Sequence, residues 1–167
     1  NRGLAIACAI ERTVVGLFRR RSDRRLEAFS TSYPDDPRSI DLDRLAPGSA
    51  GWGAYLEGVA AELIAAGDPV PGASLLVDTT VPETGGVSSS AAFELAMTLG
   101  LGELAGSSRP PIESAILSRR AENGPFVRSP CGFLDQGAVA LSAPGRMVLF
   151  DFDAEDERGI GVVQLPG

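Results

Sequence analysis

With 167 residues, 44% of them hydrophobic and 22% charged, the chain is long enough to bury one substantial core. Its formal net charge of −7 argues against holding nucleic acid or an anionic membrane through a broad positive field, so neither is expected as a partner. All 15 basic residues are arginines, and the absence of lysine and histidine excludes a Walker-type lysine, a Schiff base, a Ser-His-Asp triad and a two-histidine zinc site.

The apolar, β-branched run from Leu4 to Phe18 predicts one long strand or a strand pair, and the arginine-rich stretch Arg19 to Arg25 reads as a solvated hairpin turn. Short strands are expected over Leu26 to Ser32 and Ser39 to Leu42, with a Pro/Asp turn at Tyr33 to Arg38 between them. Ser49 to Ala66 predicts a helix, because Trp52, Leu56, Val59 and Leu63 recur at helical spacing and Gly67 ends the pattern. A strand over Leu75 to Val81 leads through a glycine- and serine-rich loop into a helix from Ser89 to Leu99. That helix is apolar nearly all round and is expected to be central and buried. Two more helices are expected, one from Pro110-Pro111 to Asn123 and one from near Cys131-Gly132 to just before Pro144-Gly145. Arg146 to Phe152 reads as a strand, an acidic stretch from Asp151 to Glu157 follows, and a last short strand lies near Val162. Strands come first and then mix with helices without a repeat, which indicates an α+β fold.

Cys8 and Cys131 lie far apart, and nothing suggests a small disulfide-stapled scaffold, so free thiols are expected. There is no signal-peptide pattern and no apolar run of roughly 18 residues, which makes the cytoplasm the default location.

Three places carry candidate chemistry. In the loop Val81 to Ala91, a strand, a glycine-rich turn and a helix start follow one another, the arrangement in which backbone N–H groups face an anion. Gly85 and Gly86 permit close approach, while Ser88, Ser89 and Ser90 offer helix caps or hydroxyls for a phosphate or a hard cation. Glu122 lies beside Ala115 on its helix. By itself it favours a pair with an arginine such as Arg119 over a cation. Asp135 stands on an apolar helix start (Phe133, Leu134, Ala138, Val139), where a half-buried carboxylate costs stability unless it is paired or used; a plain helix-start aspartate is the alternative.

Taken together and in order, Pro82-x-x-Gly85-Gly86-Val87-Ser88-Ser89-Ser90-Ala91, Ala121-Glu122-Asn123 and Cys131-Gly132-x-x-Asp135-Gln136 resemble the GHMP small-molecule kinases, and within them the galactokinases. Trp52-x-x-Tyr55-x-x-Gly58 matches the galactokinase pattern ahead of the phosphate loop, and Asn1-Arg2-Gly3 looks like the end of that family's sugar-recognition motif.

The resemblance implies a GHMP-kinase N-terminal domain over residues 1–167: a ribosomal-protein-like two-layer α/β sandwich with a mixed sheet packed with helices. It implies ATP-dependent phosphoryl transfer to the anomeric hydroxyl of a sugar, galactose to galactose 1-phosphate, with ATP as co-substrate and Mg²⁺ as cofactor. Gly85 to Ser90 would wrap the phosphates, Ser89 and Glu122 would hold Mg²⁺, and Trp52 would pack near the adenine. Gly132 would contact the sugar, and Asp135 would stand beside its reacting hydroxyl as base or electrostatic helper. The family's arginine and sugar-gripping motif would precede Asn1 and its C-terminal domain would follow Gly167, so the resemblance implies a domain incomplete at its N-terminus and inactive alone. Thr84 and Gly137 depart from the family pattern, and Glu83 places a carboxylate near the expected phosphates. A GHMP kinase for another sugar or alcohol, or a non-catalytic sugar- and nucleotide-sensing relative, is the alternative.

Overall fold

Two strands arise from the opening apolar run, β1 (Leu4–Cys8) and β2 (Val14–Arg20), and they do not pair with each other. The computed structural model describes residues 3–154 and 159–164. Asn1, Arg2 and the acidic residues from Glu155 to Glu157 lie outside these. After β2 come β3 (Arg25–Ser30), β4 (Tyr33–Asp41), a single 3₁₀ turn (Leu42–Arg44), α1 (Trp52–Ala65) and β5 (Ala73–Thr79). The chain continues through α2 (Ser89–Ala105), α3 (Pro111–Asn123), α4 (Leu134–Leu141), β6 (Arg146–Asp151) and β7 (Ile160–Gln164).

The strands form two sheets, and that division is finer than the single mixed sheet expected. One is antiparallel, in the order β1-β6-β7; the other is mixed, in the order β2-β5-β3-β4, with β3 and β5 parallel. Because β5 sits between β2 and β3, the arginine-rich stretch is not a hairpin turn. Arg19 and Arg20 finish β2, Arg25 opens β3, and the residues between cross the end of β5, where the Arg21 N–H donates to Gly72 O at 2.9 Å. The Pro/Asp segment is not a turn either. Pro34 and Pro37 lie inside β4, which tolerates them because it is an edge strand and its outward N–H groups need no partner; the turn is Thr31-Ser32.

The two-layer α/β arrangement implied by the resemblance is present. Alternation along the strands turns Leu26, Ala28, Leu75 and Val77 toward the helices, where they meet Leu56, Val59, Leu63, Met97 and Leu101 in one core. Val15, Leu17, Phe29 and Leu76 face the other way and are exposed. Helix α2 is the central helix, as its apolar circumference predicts, and it extends past Leu99 to Ala105. At Gly100 the helix lets Phe18 of β2 pack on bare backbone, where a Cβ would lie 2.2 Å from the ring. Both cysteines are free thiols. Among the described residues, no helix is long and apolar enough to cross a membrane.

Candidate functional site

The loop between β5 and α2 ends in two residues of left-handed backbone separated by Val87: Gly86 at φ +64° and Ser88 at φ +62°. A serine persists in that region when its surroundings hold it there. Here the Ser88 hydroxyl donates to Asp135 Oδ1 at 2.7 Å, across 47 residues of chain. Its hydroxyl is thus turned away from its own helix, and α2 starts without a side-chain cap, contrary to the capping role expected of the serines. Backbone bonding within the helix begins with Ala92 N–H to Ser88 O at 3.0 Å, so the amides of Ser89, Ser90 and Ala91 have no intrahelical acceptor. Three N–H groups at a helix start, next to serine hydroxyls, suit an anion.

Beside this helix start lies a cavity of about 300 Å³, lined by Ser89, Ser90, Glu83, Tyr33, Trp52, Tyr55 and Phe93, with strand residues below. Trp52 is 7% exposed and forms a wall of the cavity. Tyr33 stacks on it with centroids 6.4 Å apart and planes 7° from parallel, while Phe93 meets its edge at 6.2 Å and 86°. Its indole N–H donates to Asp36 O at 3.1 Å. An aromatic, flat-walled cavity adjoining an anion-binding helix start suits a base attached to phosphates. At the rim, the Tyr33 hydroxyl donates to Glu83 Oε2 at 2.6 Å, and this bond, with burial second, pushes the phenol up to about 12.

A second cluster stands behind the cavity. Glu122 is 6% exposed on α3, and the arginine pairing favoured for it is not what the fold provides. Arg119 instead lies over the Phe133 ring at 5.9 Å. Glu122 Oε2 accepts from Gln136 Nε2 at 2.6 Å and from the Cys131 thiol at 3.4 Å. Burial and the Glu122 charge push that thiol up to about 11, so at neutral pH it keeps the proton it donates. Gln136 Nε2 also lies 3.5 Å from Glu94 Oε2, at the limit of a hydrogen bond. Glu94 has no exposed surface, and burial first, then the charge of Glu122, push its carboxyl up to about 9. It is neutral at pH 7. Tyr55 ties the cluster to the cavity: it lines the cavity, and burial followed by the charges of Glu122 and Glu94 raises its phenol.

Helix packing sets these distances. Gly58 of α1 lies so close to α3 that a Cβ would sit 3.2 Å from Ala121 O, one residue before Glu122. Gly137 of α4 has no room for a side chain, because Phe133 and Phe150 ring carbons lie 2.7 Å from where a Cβ would be. The space beside Gly137 is filled by those two rings, which meet edge to face with centroids 6.4 Å apart.

Of the residues singled out in sequence, Ser89, Ser90 and Trp52 line this cavity, together with Tyr55 and Glu83. Gly85, Gly86 and Ser88 form the loop next to it, and Ser88 joins that loop to Asp135. Glu122, Gly132 and Asp135 are not among the lining residues. Asp135 is exposed in the first turn of α4, not half-buried as its apolar neighbours suggested. Gly132 is exposed too, with nothing within 4 Å of its Cβ position. Glu94 and Gln136 are central to the cluster and were not singled out. The signal for Glu94 was a carboxylate in the middle of a helix that is apolar nearly all round.

The sequence model described as GHMP kinases N terminal domain matches residues 54–143. The chain is 36% identical over 152 residues to the galactokinase of Chloroflexus aggregans and 33% identical over 153 residues to that of Clostridium tetani. Each alignment covers 90% of this chain and 38% of the relative, so the chain spans well under half the length of these curated relatives. Among solved structures, Lactococcus lactis galactokinase complexed with galactose superposes with a TM-score of 0.88 at 26% identity, over 99% of this chain and 42% of that one. Methanococcus jannaschii mevalonate kinase shares the fold at a TM-score of 0.78 and 14% identity, over 98% of this chain and 49% of that one.

Proposed function

The chain belongs to the GHMP kinases, and from that premise we propose that it forms the nucleotide- and sugar-facing domain of a galactokinase-like enzyme. The reaction is transfer of the γ-phosphoryl group of ATP to the anomeric hydroxyl of a sugar, with galactose the substrate suggested by the named relatives. One observation carries the reading. The Ser88–Asp135 bond brings the end of the anion-binding loop within 2.7 Å of a solvent-facing carboxylate, so phosphate and nucleophile can meet there.

Each part of the chain has a task in this scheme. Gly85, Gly86 and Ser88 shape the loop, and the amides of Ser89, Ser90 and Ala91 bind phosphate oxygens. Trp52, Tyr55 and Phe93 enclose the adenine. Asp135, exposed in the first turn of α4, takes up the proton of the sugar hydroxyl, and Gly132 leaves open space for the sugar. A Mg²⁺ ion fits the donor set. The Ser89 hydroxyl and the Glu122 carboxylate are hard oxygen donors, and both described bonds of Glu122 fall on Oε2, leaving Oε1 for a cation. Bound there, Mg²⁺ supplies positive charge to the phosphate oxygens; phosphoryl transfer needs mainly such charge and positioning, and no lysine is required.

The test is galactose-dependent ADP release by the enzyme carrying this domain, with and without Asp135→Asn. The change keeps size and one acceptor oxygen but removes basicity. Turnover is expected to fall by roughly 10²-fold or more, with ATP affinity unchanged. Turnover within a few-fold of the unmodified enzyme would mean that Asp135 is only a helix-start carboxylate.

A further inference from the structure

We propose that Gln136 is a positioning residue: its amide holds the Glu122 carboxylate ready for a divalent cation, while the same turn of α4 holds the phosphate loop. The proposal rests on the nucleotide and cation reading above and extends it to a side chain that touches neither ligand.

Gln136 has no exposed surface, so its side chain does not exchange partners with water. Its Nε2 donates to Glu122 Oε2 at 2.6 Å, the shortest contact of the buried cluster, while Glu94 Oε2 and Cys131 Sγ stand at 3.5 and 3.7 Å. A carboxylate at the end of a glutamate side chain has several accessible rotamers, and a buried donor on one oxygen selects one of them. Groups that orient a metal ligand from behind in this way are typically worth ~10–100-fold in metal affinity.

The neighbouring residue makes the arrangement a coupling device. Asp135 precedes Gln136 in the first turn of α4 and accepts from Ser88, the residue before Ser89, at 2.7 Å. Consecutive residues of one turn therefore fasten two separate parts of the site, the loop through Asp135 and α3 through Glu122. Their spacing is set by helix geometry, which is stiff, in place of loop geometry, which is not. Gly137 completes the device. Its missing side chain lets Phe133 and Phe150 close over the turn and lock the helix in place.

Gln136→Met keeps the volume and removes the donor. Mn²⁺, a spin-active substitute for a hard divalent cation, is titrated into the protein with ATP present, and free Mn²⁺ is read by electron paramagnetic resonance; metal-free ATP affinity is read by calorimetry. Folded Gln136→Met is expected to bind Mn²⁺ at least roughly 10-fold more weakly than the unmodified protein, with metal-free ATP affinity unchanged. Because Gln136 acts through Glu122, adding Gln136→Met to Glu122→Gln should weaken Mn²⁺ binding no further than Glu122→Gln alone. Unchanged Mn²⁺ affinity, or losses that add in the double variant, would overturn the proposal and leave the nucleotide reading standing. If the unmodified protein takes up no Mn²⁺ with ATP, the nucleotide and cation reading falls and this proposal with it. Should Gln136→Met not fold, Gln136→Asn decides the matter: it keeps the amide but shortens its reach, and the same loss is expected.

Discussion

Replacing Glu94 with glutamine should change how the fold responds to pH more than it changes the fold. Glu94 has no exposed surface, and burial with the nearby Glu122 charge pushes its carboxyl from an ordinary 4.5 up to about 9. The folded value lies above the unfolded one, so the contribution to stability is fully present below pH 4.5 and is lost as pH rises toward about 9. Between those limits the folded chain holds a proton that the unfolded chain has released. Each pH unit in the window then costs about 1.4 kcal/mol, or roughly 2–3 kcal/mol between about pH 5.5 and 7.5. Glu94→Gln keeps the shape and removes the titration. Urea unfolding of both proteins in metal-free buffer, at several pH values across the window, isolates this residue to first order, because titrations not coupled to Glu94 cancel in the difference. The variant is expected to gain on the unmodified protein by that amount as pH rises, with an unchanged urea slope. Parallel stability curves would show that Glu94 is already ionised in the folded state, and the description of a neutral buried acid would be wrong.

Ser89→Ala should weaken Mg²⁺-dependent turnover of the enzyme far more than metal-free ATP binding; steady-state kinetics and calorimetry compare the two, and equal turnover would remove Ser89 from the cation site. ATP binding should change the fluorescence of Trp52, the single tryptophan, because its ring walls the cavity, and a saturating titration without a signal would place the nucleotide elsewhere. Gly100→Ala, which in an ordinary helix interior would stabilise by up to ~1 kcal/mol, should here destabilise by roughly 1–3 kcal/mol, because the new methyl meets the Phe18 ring at 2.2 Å. Thermal or urea unfolding reads the sign directly.

Much of the fold was legible because local chemistry punctuates it. Gly67 and Pro110-Pro111 bound helices close to where they were expected, and the strand, glycine-rich loop and helix from Ala73 to Ala105 read in order. What could not be read is what depends on partners distant in sequence. Whether Pro34 and Pro37 break a strand depends on β4 being at an edge, and whether Arg19 to Arg25 makes a hairpin depends on β5 entering the sheet later. The site divides in the same way. Ser89, Ser90 and Trp52 follow from motif and setting, and they line the cavity. The partners of Glu122 are contributed by α4 and the segment before it, and no spacing rule within α3 names Gln136 or Cys131. Asp135 looked half-buried because its sequence neighbours are apolar, yet in the first turn of a short helix its side chain points outward.

The position of β5 between β2 and β3 has a consequence for how the protein is made. As the chain leaves the ribosome, residues up to Gly72 can form only the β3–β4 hairpin and α1, because β2 and the free edge of β3 both pair with β5 (Ala73–Thr79). Until then β2 has no neighbour in its sheet, and it shows Val15 and Leu17 on one side and Phe18, still without its place on α2, on the other. A bare apolar strand is a template for pairing with other chains, and pairings distant in sequence form slowly. From the translation of β2 to that of β5 this strand is therefore open to such pairing, and a chaperone that covers it protects the domain over that interval. Slower synthesis through the α1 codons should lengthen that exposure and lower the yield of folded protein, which comparing synonymous-codon variants of α1 would read.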